Sequence, residues 1–253
     1  MKIIIIGGTG LIGTKLAPLL EAKGHETVPA SPSTGVDTIT GEGLPAALEG
    51  VDVVVDVSNL ASFEDDKTME FFSTSSRNLL AAEAEAGVGH HVALSVVGTQ
   101  RLPEVGYYRA KVAQEDLITA GPIPFSIVHA TQFFEFAGTI AAGATDGDEI
   151  RLPEILVQPI AADDVAAALA EAATAAPLDG NRDIAGPDQM RMTEWISRSL
   201  ASIGDPRTVV ADPDAPFFGA KLAANALVPH GEAELGNTGL DEWIQKAGVR
   251  LPG

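Results

Sequence analysis

The sequence predicts an α/β protein built on a doubly wound parallel sheet, with a small C-terminal cap. Three observations carry that expectation. Short apolar runs alternate with helical stretches through the first half, which is the pattern of strand–helix–strand units around a parallel sheet. A glycine-rich segment, Gly7-Gly8-Thr9-Gly10-Leu11-Ile12-Gly13, follows the first apolar run without a gap. The chain is 45% hydrophobic but only 5% aromatic, so Ala, Val, Leu and Ile must build the core, as in a sheet covered on both faces.

Taken in order, residues 3–6 are the first strand, four consecutive isoleucines. Residues 11–23 carry Leu11, Leu16, Leu19 and Leu20 at helical spacing, and Gly24 stops them. Residues 26–30 form a second strand and 51–57 (VDVVVDV) a third. The connection between them contains Gly and Pro and a short helix near residues 45–48. A long helix is expected over 67–86, with Met69, Phe72, Leu79 and Leu80 apolar and Gly87 at its end. Residues 91–97 read as a fourth strand, 107–120 as a helix closed by Gly121 and Pro122, and 125–129 as a fifth strand. Beyond Thr131 the regularity falls off. There follow an aromatic stretch (QFFEF), a Gly-containing segment to Gly147, a strand-like LVQPI, a helix opening at Asp163-Asp164, and helices over 193–203 and 240–247.

Composition excludes several functions. The 253 residues hold no Cys, so a thiol nucleophile, a disulfide framework and a thiolate zinc site are all absent. A reducing, cytoplasmic compartment fits that content. With 35 Asp+Glu against 16 Lys+Arg the net charge is −19, which repels a phosphate backbone and argues against nucleic acid as a partner. The apolar run at the N-terminus is too short for a signal peptide or a membrane span. A small molecule is the expected partner.

Position gives the glycine segment its meaning. A dinucleotide pyrophosphate needs a tight turn, close backbone approach and free N–H groups at a helix start, and Gly7, Gly10 and Gly13 between a strand and a helix supply these. After the second strand, where a carboxylate would hold a ribose 2′-hydroxyl, the chain reads Pro29-Ala30-Ser31-Pro32-Ser33-Thr34, with no acid. Ser31, Ser33 and Thr34 can donate to a 2′-phosphate, which favours NADP over the alternative, NAD. Tyr107 and Lys111 stand four apart on one helix face, where the ammonium, with the positive nicotinamide of an oxidised cofactor, is expected to lower the phenol pKa and make it a working acid/base. Ser95, at the end of the fourth strand, is placed to hydrogen-bond a substrate oxygen.

The GGTGxxG spacing resembles the extended and atypical short-chain dehydrogenase/reductases residue for residue over Gly7 to Gly13, and the order Ser95, Tyr107, Lys111 resembles their Ser-Tyr-Lys triad. The runs YYRAKVAQEDLI, IPFSIVHATQFFEF and QPIAADDVAAAL extend the likeness, over nearly the whole chain, to the NmrA-like and quinone-reductase-like groups. The resemblance implies a Rossmann-type nucleotide-binding domain over residues 1–131. Residues 132–253 would complete the sheet and form the substrate cap in one interleaved unit. It implies that the cofactor lies on Gly7, Thr9, Gly10, Leu11 and Ile12, on Val57, Ser58 and Asn59, on Lys111 through the nicotinamide ribose, and on Ala130 and Thr131. Gln132 and Phe133 are the candidate substrate contacts. The arginine that usually pairs a 2′-phosphate in such families is missing.

The implied activity is NAD(P)H-dependent reduction of a small carbonyl or quinone, with Tyr107 as acid/base and Tyr108 as the lesser candidate. In some NmrA-like members the same fold serves as a silent redox sensor. Epimerisation or dehydration of a sugar nucleotide would use the same triad. His90, His91 and His129 read as core or strand-edge residues and no metal is expected. Glu64, Asp65 and Asp66 read as a solvated turn, Asp163 or Asp164 as a helix cap, and Trp195 and Trp243 as packing residues.

Overall fold

The computed structural model describes residues 1–60 and 64–247. Strand β1 (Lys2–Ile6) places its isoleucines on alternate faces, and all of them are at most 3% exposed, so both faces of the strand are covered. On one face Ile4 and Ile6 pack with Val54, Leu44, Leu48 and Leu79. The chain continues through α1 (Gly13–Ala22), β2 (Glu26–Ala30), the single turn α2 (Leu44–Ala47), β3 (Val53–Asp56) and α3 (Asp65–Ala86). Next come β4 (His90–Val96), α4 (Gly106–Thr119) and β5 (Phe125–Ala130). The expected strands and helices of the first half are all present, with ends displaced by a few residues. Helix α1 starts at Gly13 and not at Leu11, which leaves Leu11 and Ile12 in the turn.

The second half holds α5 (Ala137–Gly143), β6 (Thr145–Asp146), β7 (Glu149–Leu152), β8 (Leu156–Val157), α6 (Ala162–Thr174), β9 (Gly180–Ala185), β10 (Met190–Arg191), α7 (Met192–Ser202), β11 (Thr208–Ala211), β12 (Glu234–Leu235) and α8 (Leu240–Ala247). The strand expected over 156–160 is cut to two residues; Pro159 has no N–H to give a ladder. Helix α5 and strands β6, β7, β9, β10, β11 and β12 were not expected from the sequence.

The central sheet has the order β12-β9-β5-β4-β3-β1-β2. Strand β1 runs parallel to β2 and β3, β3 to β4, and β9 to β12. The order reverses at β1, and in open α/β sheets ligands bind outside the carboxyl ends of the strands at such a reversal. This is the doubly wound Rossmann-type arrangement expected from the sequence.

The chain divides into two compact units. The first takes Met1–His129 and Val165–Arg182, and the second takes Ala130–Asp164 and the residues from Asp183 onward. In the second unit β7 lies between β6 and β11, and β8 pairs with β10. Its core includes Trp195 of α7, fully buried, and Trp243 of α8, which packs on Phe134. Asp164 holds the loop after β12, accepting from the Thr238 N–H at 2.8 Å and its hydroxyl at 3.2 Å.

Candidate active site

The turn after β1 is shaped by what its glycines leave out. Gly7 adopts φ +80°, and its N–H and that of Gly8 both donate to Ala30 O, tying the turn to the end of β2. A Cβ on Gly7 would lie 2.9 Å from the Ser58 backbone, one on Gly8 2.6 Å from Pro29 Cα, and one on Gly13 2.5 Å from Gly7 O. Three chain segments therefore converge here only because side chains are missing. Thr9 and Gly10 are exposed, the amides of Leu11 and Ile12 follow in the turn, and α1 begins at Gly13 with the positive end of the helix facing them.

Beyond β2, Ser31 and Ser33 share a 2.8 Å hydrogen bond between their hydroxyls, and Thr34 turns its hydroxyl back to the backbone of Ser31. One proton of the serine pair remains for an outside acceptor. At the end of β3 the Ser58 N–H donates to Asp56 Oδ1 at 2.9 Å, while the Ser58 hydroxyl is buried without a hydrogen-bond partner. Asn59 is exposed beside it.

Helix α4 carries both Tyr107 and Lys111. The Lys111 ammonium, 2% exposed, donates to Leu94 O at 2.8 Å and to Gln114 Oε1, and lies 4.5 Å from the centre of the Phe72 ring. Burial brings its pKa down to about 8, with Asp56 and Glu115 resisting the fall. Tyr107 packs edge-on against Phe72, ring centres 5.8 Å apart. Burial pushes its phenol up to about 12. In the protein alone burial dominates the phenol, and the Lys111 ammonium is engaged by Leu94 O and Gln114.

Ser95 ends a separate polar chain. Its hydroxyl donates to Glu115 Oε1, the same oxygen accepts from His129 Nε2 at 3.1 Å, and His129 Nδ1 meets the exposed Asn181 at 3.3 Å. Thr99 adds a weaker bond to Glu115 at 3.4 Å. Burial opposes the Glu115 charge, but His129, Ser95 and Lys111 outweigh it and hold the carboxyl below its usual value. The other two expected core histidines are also partnered, His90 with Ser126 and His91 with Glu83.

Ala130 closes β5, Thr131 follows it, and the second unit opens with them. There the Thr131 hydroxyl donates to Gln158 O at 2.6 Å, Phe133 stacks on Phe136, and Gln132 O accepts from Ile160 N. Asp56, Gln114 and Glu115 were not singled out from the sequence, and Phe72 was read only as an apolar position of the long helix. Asp56 is hidden as one acid in a run of valines. Gln114 and Glu115 were legible at three and four positions past Lys111, the spacing that shares its helix face.

The glycine cradle, the helix amides behind it and the orphaned Ser58 hydroxyl fit a dinucleotide. Residues 7–176 match the family described as NAD(P)H-binding. The chain belongs to this NAD(P)H-binding family. The NAD(P)-binding character expected from the sequence is thereby borne out. Over 44 residues, 17% of this chain and 15% of the relative, it is 48% identical to the epimerase family protein SDR39U1 of Bos taurus. A short-chain dehydrogenase/reductase superfamily protein of Agrobacterium tumefaciens, solved with bound NAD, shares the fold at a TM-score of 0.73 and 15% identity, over 98% of this chain and 96% of that one. MoeE5, solved with UDP-glucuronic acid and NAD, matches at 0.72 and 15%, over 97% of each chain. Like these NAD-bound proteins, this NAD(P)H-binding family member has a Rossmann-type sheet. No helix among its described residues is long and apolar enough to cross a membrane.

Proposed function

We propose that this protein is an NAD(P)H-dependent oxidoreductase acting on a small carbonyl or quinone-type substrate. The observation that carries the reading is the convergence of the Gly7–Gly13 turn, the orphaned Ser58 hydroxyl and the end of β2 at the reversal of the sheet. Gly7, Thr9, Gly10 and the amides of Leu11 and Ile12 would hold the pyrophosphate. Ser31 and Ser33 would meet a ribose phosphate, favouring NADP, and Val57, Ser58 and Asn59 would line the adenosine side, with Ala130 and Thr131 near the nicotinamide. The bound nicotinamide would supply the hydride.

The protein's part is proton handling and orientation. Tyr107 would give its phenolic proton to the reacting oxygen, Lys111 would hold the ribose, and Ser95 would contact the substrate oxygen. With its own proton donated to Glu115, Ser95 has only acceptor capacity left, suited to a hydroxyl on the substrate or on Tyr107. Gln132 and Phe133 are the proposed substrate contacts. A sugar nucleotide, as in the complex of MoeE5, is a second substrate class open to the same residues.

A second reading, a silent cofactor sensor, is favoured by the internal engagement of Lys111 and the raised phenol. Titration with NADPH and NADH followed by a panel of ketones, aldehydes and quinones separates the two. The oxidoreductase reading expects tight binding, turnover, and loss of turnover in Tyr107→Phe by a factor of about 100 or more. Binding with no turnover across the panel favours the sensor.

A further inference from the structure

Lys111 and Ser58 lie on different elements, yet one unbroken polar chain joins them. Lys111 donates to Gln114 Oε1, Gln114 Nε2 donates to Asp56 Oδ2 at 2.9 Å, and Asp56 Oδ1 accepts from the Ser58 N–H at 2.9 Å. The chemistry fixes every direction in it. An ammonium only donates and a carboxylate only accepts, so the Gln114 amide has one orientation, with its oxygen to Lys111 and its nitrogen to Asp56. Asp56, Gln114 and Lys111 are each 2% exposed.

Such an arrangement is a poor stabiliser. Two charges taken out of water at this depth regain little net energy from each other, and apolar residues of like volume would fill the space as well. What the chain does achieve is geometric. It ties the position of the α4 lysine to the loop after β3, whose Ser58 backbone abuts Gly7.

We propose that Asp56 and Gln114 are positioning residues of the cofactor site, coupling Lys111 to the Ser58 loop so that dinucleotide affinity depends on both. The inference rests on the cofactor reading given above. Asp56 has the further role of keeping Lys111 charged. The groups facing the ammonium are Asp56 from β3, Glu115 from α4, His91 from β4 with Glu83 behind it on α3, and the Phe72 ring. Asp56→Asn removes one of the two acids that favour the ammonium. Gln114→Leu cuts the relay while leaving every charge in place.

The test compares wild type, Asp56→Asn and Gln114→Leu. NADPH affinity is measured by fluorescence between about pH 6 and 9, a range that brackets the lysine titration. In the cofactor-free protein, the Lys111 side chain is titrated by ¹³C NMR and assigned by its absence from Lys111→Met. Each variant is expected to lose at least about tenfold in NADPH affinity at neutral pH, the scale of one charge-assisted hydrogen bond. In Asp56→Asn the Lys111 midpoint should fall below about 8 and carry the pH midpoint of NADPH binding down with it. A residue that merely supported the fold would not move the two midpoints together.

Wild-type affinity in folded Gln114→Leu overturns the proposal, as does an unmoved Lys111 midpoint in Asp56→Asn. If Asp56→Asn does not fold, Gln114→Leu decides alone. Failure of the wild type to bind NADPH or NADH overturns the cofactor reading and this proposal together, whereas binding that both variants retain overturns only this one.

Discussion

Single atoms govern the glycine turn. A methyl at position 13 would meet Gly7 O at 2.5 Å and Gly8 Cα at the same distance, both rigid backbone, so the turn and α1 must separate. Gly13→Ala is therefore expected to cost about 2 kcal/mol or more in urea unfolding and to abolish NADPH binding. At position 10 the nearest atom would be 3.3 Å away, and the residue is exposed. Gly10→Ala should lower the urea midpoint less than Gly13→Ala does and still weaken NADPH binding. Equal affinity in Gly10→Ala and wild type would remove this face of the turn from the proposed pyrophosphate site. Much of this was legible in the sequence, because Gly residues at fixed spacing have few other uses between a strand and a helix. Asp56 was not legible. Its role depends on partners 2 and 58 residues away, and the nearer one it holds by a backbone N–H common to every sequence.

Elements were legible in proportion to how strongly burial shaped their sequence. β1 and β3 are covered on both faces and read as runs of isoleucine and valine, and β4 shows a shorter apolar stretch, Val92 to Leu94, between its polar residues. β9 (GNRDIA) buries only Ile184 and Ala185, so its pairing beside β5 left no pattern to read. The two-residue strands β6, β8, β10 and β12 are too short to show any period. Strand β4 also makes a pH prediction. Burial lowers the His90 pKa from 6.5 to about 4, helped by its neighbour His91, so between those values the unfolded chain binds more protons than the folded one. Stability from His90 is present above pH 6.5 and is lost as the pH falls toward about 4. His90→Gln should flatten the upper part of that window in urea unfolding at a series of pH values, where few carboxylates titrate. An unchanged slope would mean that His90 does not carry it.

At the scale of the whole molecule, charge is the dominant surface property. The net −19 is only locally relieved, since exposed pairs such as Lys67–Glu64 and Lys221–Asp214 contribute little in water. Self-repulsion at this charge opposes the compact state, and salt screens it over a Debye length of about 10 Å at 0.1 M. Raising NaCl from about 0.05 to 0.5 M should lift the melting temperature by a few degrees. A fall would show that screening of favourable pairs outweighs screening of repulsion.

The interleaving of the two units also sets a timetable for synthesis. A ribosome that has delivered residues 1–129 has made most of the first unit, but the stretch from Val165 to Arg182 has yet to emerge. Until β9 arrives, β5 is the open margin of the sheet, with a row of unpaired N–H and C=O groups. The nascent chain must shield that margin while the intervening segment, Ala130–Asp164, is translated. A fragment ending near residue 131 is thus a natural template for strand addition between chains, and premature termination in this stretch leads toward aggregation instead of a smaller, working nucleotide-binding piece.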